Sequence, residues 1–269
     1  MLELWNLLLF HPLINSLIAL FRLTGSLGWA IILLTVILRL VMTPLVLPSL
    51  RLGKKMQELA PDLAKLKQEF GNDKQKLVAA QAELYKKHGA NPAAGCLPQV
   101  IQLLVLIALF NAFNSVLKPN GADLVSHLNP ILYSFNRLSS DFRLSTRFLY
   151  LDLAKPDTFR LPNLSFPLPG LFLLLSAAIQ LISSKMMAPV VSAEQKLAKK
   201  TPSSSDDAMV EVQQQMLYLF PLMTIFIGFQ FPSGLVLYWL VFSVASVFQQ
   251  YYAAGWGGLA PVIQKLKKS

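Results

Sequence analysis

The segment Ala30–Leu47, AIILLTVILRLVMTPLVL, constrains the fold of this chain more than any other stretch. Its eighteen residues include a single charged side chain, Arg39, close to the middle. A helix needs about twenty predominantly apolar residues to cross a hydrocarbon core of ~30 Å. In lipid such a segment forms a helix because its backbone amides must find partners within the segment. The run therefore predicts a transmembrane helix that carries a guanidinium at membrane depth.

The composition extends this interpretation to the whole chain. Of the 269 residues, 54% are hydrophobic and 14% are charged, whereas soluble domains carry about 25% charged residues. This balance predicts a multi-pass membrane protein. The net charge of +10 is not gathered on a soluble domain with interleaved aromatics, so direct sequence-specific nucleic-acid binding is not expected. The single cysteine, Cys96, excludes an intramolecular disulfide and a thiolate metal cluster.

The predicted fold is an all-α polytopic membrane protein with five transmembrane helices. The predicted order is an N-terminal interfacial amphipathic helix at 1–27, a first span at 28–48, a cytoplasmic helical hairpin at 49–96, a second span at 97–117, an extracytoplasmic loop at 118–168, a third span at 169–188, a cytoplasmic loop at 189–214, fourth and fifth spans at 215–231 and 234–254, and a basic cytoplasmic tail at 255–269. In 1–22, a polar stripe of His11, Asn15 and Arg22 favours a helix on the outer interface. A sixth span there is the alternative, and it would reverse the topology.

Basic residues near the spans predict the orientation. The segment 49–96 has helical periodicity on both sides of Gly71–Asp73, with Asn72 or Asp73 placed to cap the second helix. It holds nine lysines and arginines against five acids, and the tail adds Lys265, Lys267 and Lys268. Cytoplasmic segments are enriched in Lys and Arg. With an odd number of spans, hairpin and C-terminus are predicted to be cytoplasmic and the N-terminus outside.

Arg39 and other polar residues within the spans indicate a functional site. An arginine at the centre of a span costs at least ~2.5–3.5 kcal/mol and usually faces protein or water. Thr35 lies one turn away, and polar side chains share helix faces in the other spans: Gln99, Gln102, Asn111 and Asn114 in the second, Ser176, Gln180, Ser183 and Ser184 in the third, and Ser243, Ser246, Gln249 and Gln250 in the fifth. Each uncharged residue alone fits interhelical contacts. Together they predict a wet, positively charged cavity.

The sequence contains no recognisable catalytic set. Its three histidines fall in different segments, and the predicted spans contain no Asp or Glu, no Gly-rich phosphate loop and no metal-ligand spacing. Neither an enzyme nor a bound cofactor or metal is expected. A small-anion or solute transporter with Arg39 as its anion site is the alternative function, although the internal repeats or paired broken helices typical of transporters are not evident. A membrane-anchored assembly factor also stays open.

Five motifs in order resemble one family. They are ILRLVMTPL (Ile37–Leu45), GNDKQKL (Gly71–Leu77), NPAAGCLPQVIQ (Asn91–Gln102), FLYLDLAKPD (Phe148–Asp157) and FPSGLVLYW with QQYY downstream (Phe231–Trp239 and Gln249–Tyr252). With these motifs the chain resembles the YidC/Oxa/Alb membrane protein insertases. The resemblance implies an insertase and chaperone of the bacterial inner membrane, with a hydrophilic groove open to the cytoplasm and to lipid.

The resemblance also assigns residues and partners. Arg39 matches the groove arginine of the family, Thr35 the threonine one turn away, and Gln102 the glutamine of the second span. The apolar flanks that contact the incoming segment include Leu106 in the second span and Tyr238 and Trp239 in the fifth. Nascent membrane proteins and membrane lipids are the implied partners, with the ribosome and the Sec translocon as further candidates. The basic tail with which some relatives bind ribosomes is reduced here.

Overall fold

The structure, a computed structural model, describes residues 2–71, 73–89, 97–117, 122–162, 165–187 and 205–268. These residues are mainly helical, and the helices in chain order are α1 (Leu2–Trp5), α2 (His11–Thr24), α3 (Leu27–Phe70), α4 (Lys74–Lys87), α5 (Leu97–Leu117), α6 (Ala122–Leu128), α7 (Leu171–Met187), α8 (Ser205–Gly228), α9 (Ser233–Ala254) and α10 (Ala260–Lys268). A π-helical segment, Asn6–Phe10, joins α1 to α2.

The chain divides into two compact units. The first comprises Met1–Val41, Val100–Ile179 and Leu222–Ala245, and the second comprises Met42–Gln99, Gln180–Pro221 and Ser246–Ser269. The core of the first unit is aliphatic, and its fully buried side chains include Ile14, Leu17, Ile31, Leu109, Leu153 and Leu237. In the second unit the buried side chains include Leu59 of α3, Leu77 of α4 and Met186 of α7.

Four helical segments in the described part of the chain are long and apolar enough to cross a membrane. They are Glu3–Thr24, Leu27–Lys55, Val100–Leu117 and Ser233–Ala254. The last three agree with the predicted first, second and fifth spans. The predicted third and fourth spans fall on shorter apolar helices, Leu171–Met187 and Tyr218–Gly228. By length and composition, Glu3–Thr24 also qualifies as a span, so the count of five stays a prediction.

The first predicted span and the first hairpin arm form one continuous helix, which the sequence analysis did not anticipate. α3 runs over 44 residues and includes Pro44, Pro48 and Pro61. A proline removes one backbone donor, but its fixed φ is helical, so a packed helix can continue through it. Of the two residues predicted as candidates for the cap of α4, Asp73 fills this role, because its side chain accepts from the Lys76 amide at 3.1 Å. Lys55 of α3 donates to the His88 carbonyl just after α4.

The predicted loop 118–168 has more regular structure than its Pro-, Asn- and Ser-rich sequence indicates. It contains α6, a 3-10 turn at Ser134–Asn136 and two antiparallel ribbons: β1 (Arg147–Phe148) pairs with β2 (Leu151–Asp152), and β3 (Thr158–Phe159) pairs with β4 (Leu168–Pro169). Among the described residues, these ribbons are the one departure from the all-α prediction. The apolar side chains of the loop, including Leu128, Phe148 and Leu153, are buried, and the Phe148 ring packs against Trp29 of α3.

The loop also satisfies the N-terminal amides of α7 and α9. The buried carboxylate of Asp157 accepts from the Leu173 amide at 2.8 Å and from the Tyr150 hydroxyl at 2.9 Å. Any side chain at Gly170 would collide with this carboxylate. At the start of α9, Ser233 donates its amide to the Lys155 carbonyl at 2.7 Å and its hydroxyl to the Asp152 carbonyl at 2.9 Å. Because helix N-termini leave amides without intrahelical partners, these contacts fix where both helices begin.

The N-terminal helix packs on the same loop. Asn15 is 2% exposed, and its side chain donates to the Ile131 carbonyl at 3.1 Å and accepts from the Tyr133 amide at 2.7 Å. Arg22 donates to the Phe135 carbonyl at 2.9 Å. The predicted polar stripe of α2 is therefore used to bind protein backbone, and the middle of the loop forms its docking surface.

The fourth predicted span begins within a longer helix. α8 starts at Ser205, inside the predicted cytoplasmic loop 189–214, and continues to Gly228 with Pro221 inside it. The remainder of that predicted loop, 189–204, lies outside the described residues. The polar residues between Ser205 and Gln215 extend the helix without extending its apolar part, so helix length and span length differ here.

Candidate functional site

Helix α9 contacts several of the polar residues singled out in the sequence. Within the first unit, α9 contacts Arg39 of α3 through Phe242, Gln102 of α5 through Tyr238, and Ser176 of α7 through the Val236 carbonyl. We call Arg39, Gln102, Ser176, Tyr238 and Phe242 the α9 polar site. Tyr238 and Phe242 are one turn apart, so their side chains lie on the same face of the helix.

The guanidinium of Arg39 is almost covered by protein. The residue is 8% exposed, its Nη2 donates to the Phe242 carbonyl at 3.4 Å, and its Cζ lies 3.7 Å from the centroid of the Phe242 ring. A cation over an aromatic face is attracted to the ring quadrupole by about 0.5–2 kcal/mol, the larger values applying when water is excluded. The aromatic ring thus compensates part of the cost of holding this charge in an apolar helix bundle.

Gln102 and Tyr238 form the second contact of the site. The Gln102 amide donates to the Tyr238 hydroxyl at 2.7 Å, and Tyr238 is 2% exposed. The Tyr238 and Phe242 rings lie 5.8 Å apart between centroids. A buried phenol with a hydrogen-bond partner is held in one orientation. Tyr238 therefore links the predicted second-span glutamine to the ring that covers Arg39.

Ser176 and Thr35 are buried, and their hydroxyl groups donate hydrogen bonds to backbone carbonyls of the helices. Ser176 donates to the Val236 carbonyl at 3.3 Å, which ties α7 to α9. Thr35 donates to the Ile31 carbonyl of its own helix at 2.7 Å. Such bonds are the ordinary ones of polar residues in packed membrane helices.

The other predicted site residues are not drawn into this cluster. Leu106, Asn111 and Trp239 are half-buried in the first unit, and Gln180 is half-buried in the second. The side chain of Gln99 lies outside the described residues. Gln249, from the polar face of the fifth span, donates to Thr43 Oγ1 at 2.8 Å in the second unit. Contact of these residues with a substrate stays a prediction.

Two residues that contact buried polar groups of the first unit, Phe242 and Asp157, were not identified from the sequence. Phe242 was treated as part of the apolar run, although its position one turn after Tyr238 could have placed it on the same face. Asp157 lies in a motif quoted for the resemblance, but nothing local indicated that its carboxylate would cap α7. Phe242 contacts Arg39, and Asp157 contacts Leu173. In each pair the two residues are far apart in the sequence.

The surroundings of the site are suited to lipid and to a charged group at once. Large apolar side chains on α3 and α5 point away from the protein, including Leu40 at 66% and Val41 at 69% exposure on α3 and Leu103 at 54% on α5. No group of three or more His, Cys, Asp or Glu that could hold a metal occurs in the part of the chain that the structure describes. Chemically, the site offers a cation, an amide and a phenol.

Comparison with known proteins agrees with the motifs. Residues 19–256 match the profile of the family described as 60Kd inner membrane protein. The Membrane protein insertase YidC of Fusobacterium nucleatum is 33% identical over 228 residues, which are 85% of this chain and 86% of that protein. Proteins of the same name from Geobacter sulfurreducens and Wolinella succinogenes are 32% and 31% identical over 92% and 90% of this chain.

The extent of these matches differs between the relatives. This chain spans 37% of the Geobacter sulfurreducens protein and 36% of the Wolinella succinogenes protein. The family profile covers residues 19–256, which include the motifs around Arg39, Asp157 and Tyr238. The resemblance identified from the motifs is confirmed: this multi-pass inner membrane protein belongs to the 60Kd inner membrane protein family, the YidC-type membrane protein insertases.

Proposed function

We propose that this chain inserts newly made membrane proteins into the lipid bilayer and assists their folding, and that the α9 polar site receives the polar or acidic tail of the incoming segment. The relatives named as insertases support the activity. The observation that carries the assignment of the site is a buried guanidinium, Arg39, held at membrane depth by the ring and carbonyl of Phe242.

The energetic problem for a client is the polar end that must cross. A carboxylate that leaves water loses a large solvation energy unless a cation or hydrogen-bond donors replace the water. Arg39 supplies the cation, and the predicted spans contain no Asp or Glu to neutralise it. A fork of five N–H donors also suits bidentate binding of a carboxylate. We expect the client carboxylate to take the place of the Phe242 carbonyl on the guanidinium.

The apolar part of the client supplies the driving force. Burial of apolar surface contributes about 25 cal/mol per Å², so a segment of about twenty apolar residues needs no nucleotide hydrolysis to enter lipid. Exposed apolar side chains of α3 and α5, such as Leu40 and Leu103, form a surface along which this segment passes into the bilayer. The proposed groove, with Thr35, Gln99, Leu106, Asn111, Ser176, Gln180 and Trp239 as further wall residues, opens to the cytoplasm and to lipid.

The proposed topology places the N-terminus outside and the hairpin and C-terminus in the cytoplasm, with five spans. The docking of α2 supports an interfacial position for it. Asn15 and Arg22 contact loop residues 131–137 along about 10 Å of helix. Much of α2 therefore lies beside the loop between α5 and α7, which the proposed topology places on the outer side. Exposed Leu4, Leu7 and Leu8 would face the outer leaflet. Protease added from outside should spare 49–96, and cleavage there would overturn this topology.

Substitution of Arg39 tests the site directly. Matched clients that differ only in the charge of the translocated tail should be inserted into vesicles containing wild-type, Arg39→Ala or Arg39→Lys protein. We expect Arg39→Ala to reduce insertion of the acidic-tailed client by tenfold or more, on the order of 1.4 kcal/mol, and the neutral-tailed client less. Arg39→Lys keeps the charge but loses the fork, so it should retain partial activity.

Arg51→Ala is the matched control, because Arg51 is an exposed arginine on the same helix. It should insert both clients normally. Insertion is normalised to the amount of folded variant in the membrane. Equal losses for acidic and neutral tails with Arg39→Ala would contradict the electrostatic role. Arg39-dependent flux of small anions, with insertion unchanged, would instead support the transporter alternative.

A further inference from the structure

The last helix, α10, separates apolar from basic residues around its axis. At 100° per residue, Val262, Ile263 and Leu266 fall within an arc of about 100°, and Lys265 and Lys267 flank that arc on either side. Gln264 and Lys268 lie on the opposite face. Lysines at the edges of an apolar stripe are typical of helices that lie in a membrane interface, because their stems lie on the apolar side while their ammonium groups reach the headgroups.

Two apolar residues of α10 are exposed in the part of the protein that the structure describes. Val262 is 55% exposed and Leu266 is 72% exposed, whereas Ile263 is half-buried. In the same unit, Leu59 of α3 and Leu77 of α4 are buried. Complete burial of a leucine contributes about 1.5–3 kcal/mol, and Leu266 does not gain this energy from the described residues.

The charge of the segment indicates which surface covers it. Residues 255–269 contain Lys265, Lys267 and Lys268 and no acidic residue. Each lysine close to an anionic membrane surface contributes about 1 kcal/mol of attraction. An apolar stripe bordered by lysines is complementary to a bilayer that contains anionic phospholipids, which presents acyl chains beneath negative headgroups.

The connection to α9 brings α10 close to that surface. α9 ends in a left-handed Gly255, with φ of 73°, whose amide donates to the Tyr251 carbonyl. Tyr252 is 83% exposed, and the Tyr251 and Trp256 rings lie 4.9 Å apart. Tyr and Trp are enriched where helices leave the hydrocarbon. α10 begins a few residues later, so it starts at the headgroup level of the membrane that α9 is long enough to cross.

We propose that α10 is a surface anchor that binds anionic phospholipids, with Val262, Ile263 and Leu266 in the acyl-chain boundary and the lysines at the headgroups. The anchor keeps the end of α9 at a fixed depth in the bilayer. This inference does not rest on the proposed insertase activity, and it assigns the tail to lipid instead of ribosomal RNA.

Spin labels on the full chain test this inference. In a Cys96→Ser background, a nitroxide is attached at Leu266→Cys on the apolar face or at Gln264→Cys on the opposite face. Accessibility to oxygen and to a water-soluble nickel chelate is measured in vesicles of phosphatidylcholine with phosphatidylglycerol and in pure phosphatidylcholine. We expect the label at 266 to be accessible to oxygen and protected from nickel in the anionic vesicles, and the label at 264 to show the reverse.

Removal of the charges should release the helix. The combined variant Lys265→Gln, Lys267→Gln and Lys268→Gln should lower the docked-to-free ratio at position 266 by about tenfold or more in anionic vesicles. The control variant Lys54→Gln, Lys86→Gln and Lys87→Gln, on exposed positions of α3 and α4, should leave it unchanged. Water exposure of the label at 266 in both lipids, equal docking in both, or immobilisation only after ribosomes are added would overturn the proposal.

Discussion

Two regions of the first unit bury polar side chains, and they differ in what satisfies them. In the layer formed by α2 and the loop after α5, Asn15 exchanges hydrogen bonds with the backbone of Ile131 and Tyr133, and Asp157 binds the Leu173 amide and the Tyr150 hydroxyl. In the α9 polar site, by contrast, Arg39 contacts an aromatic ring at 3.7 Å and a carbonyl at 3.4 Å, close to the outer limit of a hydrogen bond.

We interpret this difference as one between polar groups that hold the fold and polar groups that are proposed to bind a client. Removing one partner of a short, buried hydrogen bond leaves the other without a partner and costs about 1–3 kcal/mol, so the layer of α2 and the loop is held in one arrangement. A long bond from a cation to a carbonyl is more readily exchanged for a bond to a carboxylate, because charge-assisted pairs are roughly twice as strong. We therefore expect substitutions in that layer to affect stability and those in the α9 polar site to affect client insertion.

The largest effect on stability is expected at Asp157. Asp157→Ala leaves the Leu173 amide and the Tyr150 hydroxyl without their acceptor and removes the cap of α7, so the free energy of unfolding should fall by about 3 kcal/mol. The measurement is unfolding in detergent, together with insertion per folded molecule, which should stay normal. Arg143→Ala, an exposed change in the same loop, should resemble wild type. If insertion per folded molecule fell as far as in Arg39→Ala, Asp157 would be needed for insertion itself and not only for stability.

Asn15 should have the next largest effect. Asn15→Ala removes the hydrogen bonds to Ile131, Tyr133 and Asn136 and should lower the free energy of unfolding by about 2 kcal/mol. Arg22→Ala, whose bonds to the same loop are exposed, should cost less than half of that. A proteolysis assay of the loop and α2 measures the same docking locally. Equal effects for the two variants would show that burial of Asn15 contributes nothing beyond the number of its bonds.

Substitution of Phe242 tests the proposed role of the α9 polar site. Phe242→Leu keeps an apolar side chain but removes the ring over Arg39, so the free energy of unfolding should fall by about 1 kcal/mol. Crosslinking of an acidic client tail beside Arg39 should increase, because the guanidinium loses a competing partner. Phe248→Leu, a change at an exposed position of the same helix, is the control. Reduced crosslinking with unchanged stability would mean that the ring forms part of the client-binding surface.

The smallest effect is expected from titration of Tyr150. Burial raises the pKa of its hydroxyl, and although the Phe172 and Leu171 amides favour ionisation, the bond to Asp157 and its charge raise the pKa further. A raised folded pKa favours the protonated form, so the stabilisation is complete below the ordinary pKa of about 10 and is lost as pH rises through the folded value. The free energies of unfolding of wild type and Tyr150→Phe should therefore differ at pH values below the folded pKa of Tyr150 and converge above it. A difference that persists above it would contradict this origin.

Much of the helical framework could be predicted because its signals are local. Apolar runs predict spans, and the pair Asn72 and Asp73 after Gly71 predicts a cap for α4, which the structure places at Asp73. The ordered loop was missed because its strands are two residues each and are too short for a period of two to be read from the sequence. The early start of α8 was missed because a polar helix outside the apolar run leaves no hydropathy signal.

Segment length, periodicity and motifs are properties of contiguous residues, so they are sufficient to predict a helical membrane protein of the insertase family with Arg39 inside a span. The contacts of Arg39 and Asn15, by contrast, follow only from the folded structure. Phe242 lies 203 residues from Arg39, and Ile131 lies 116 residues from Asn15. Helical periodicity predicts which residues share a face of one helix. The residues that this face contacts depend on how distant helices pack, and this packing is determined by the whole core.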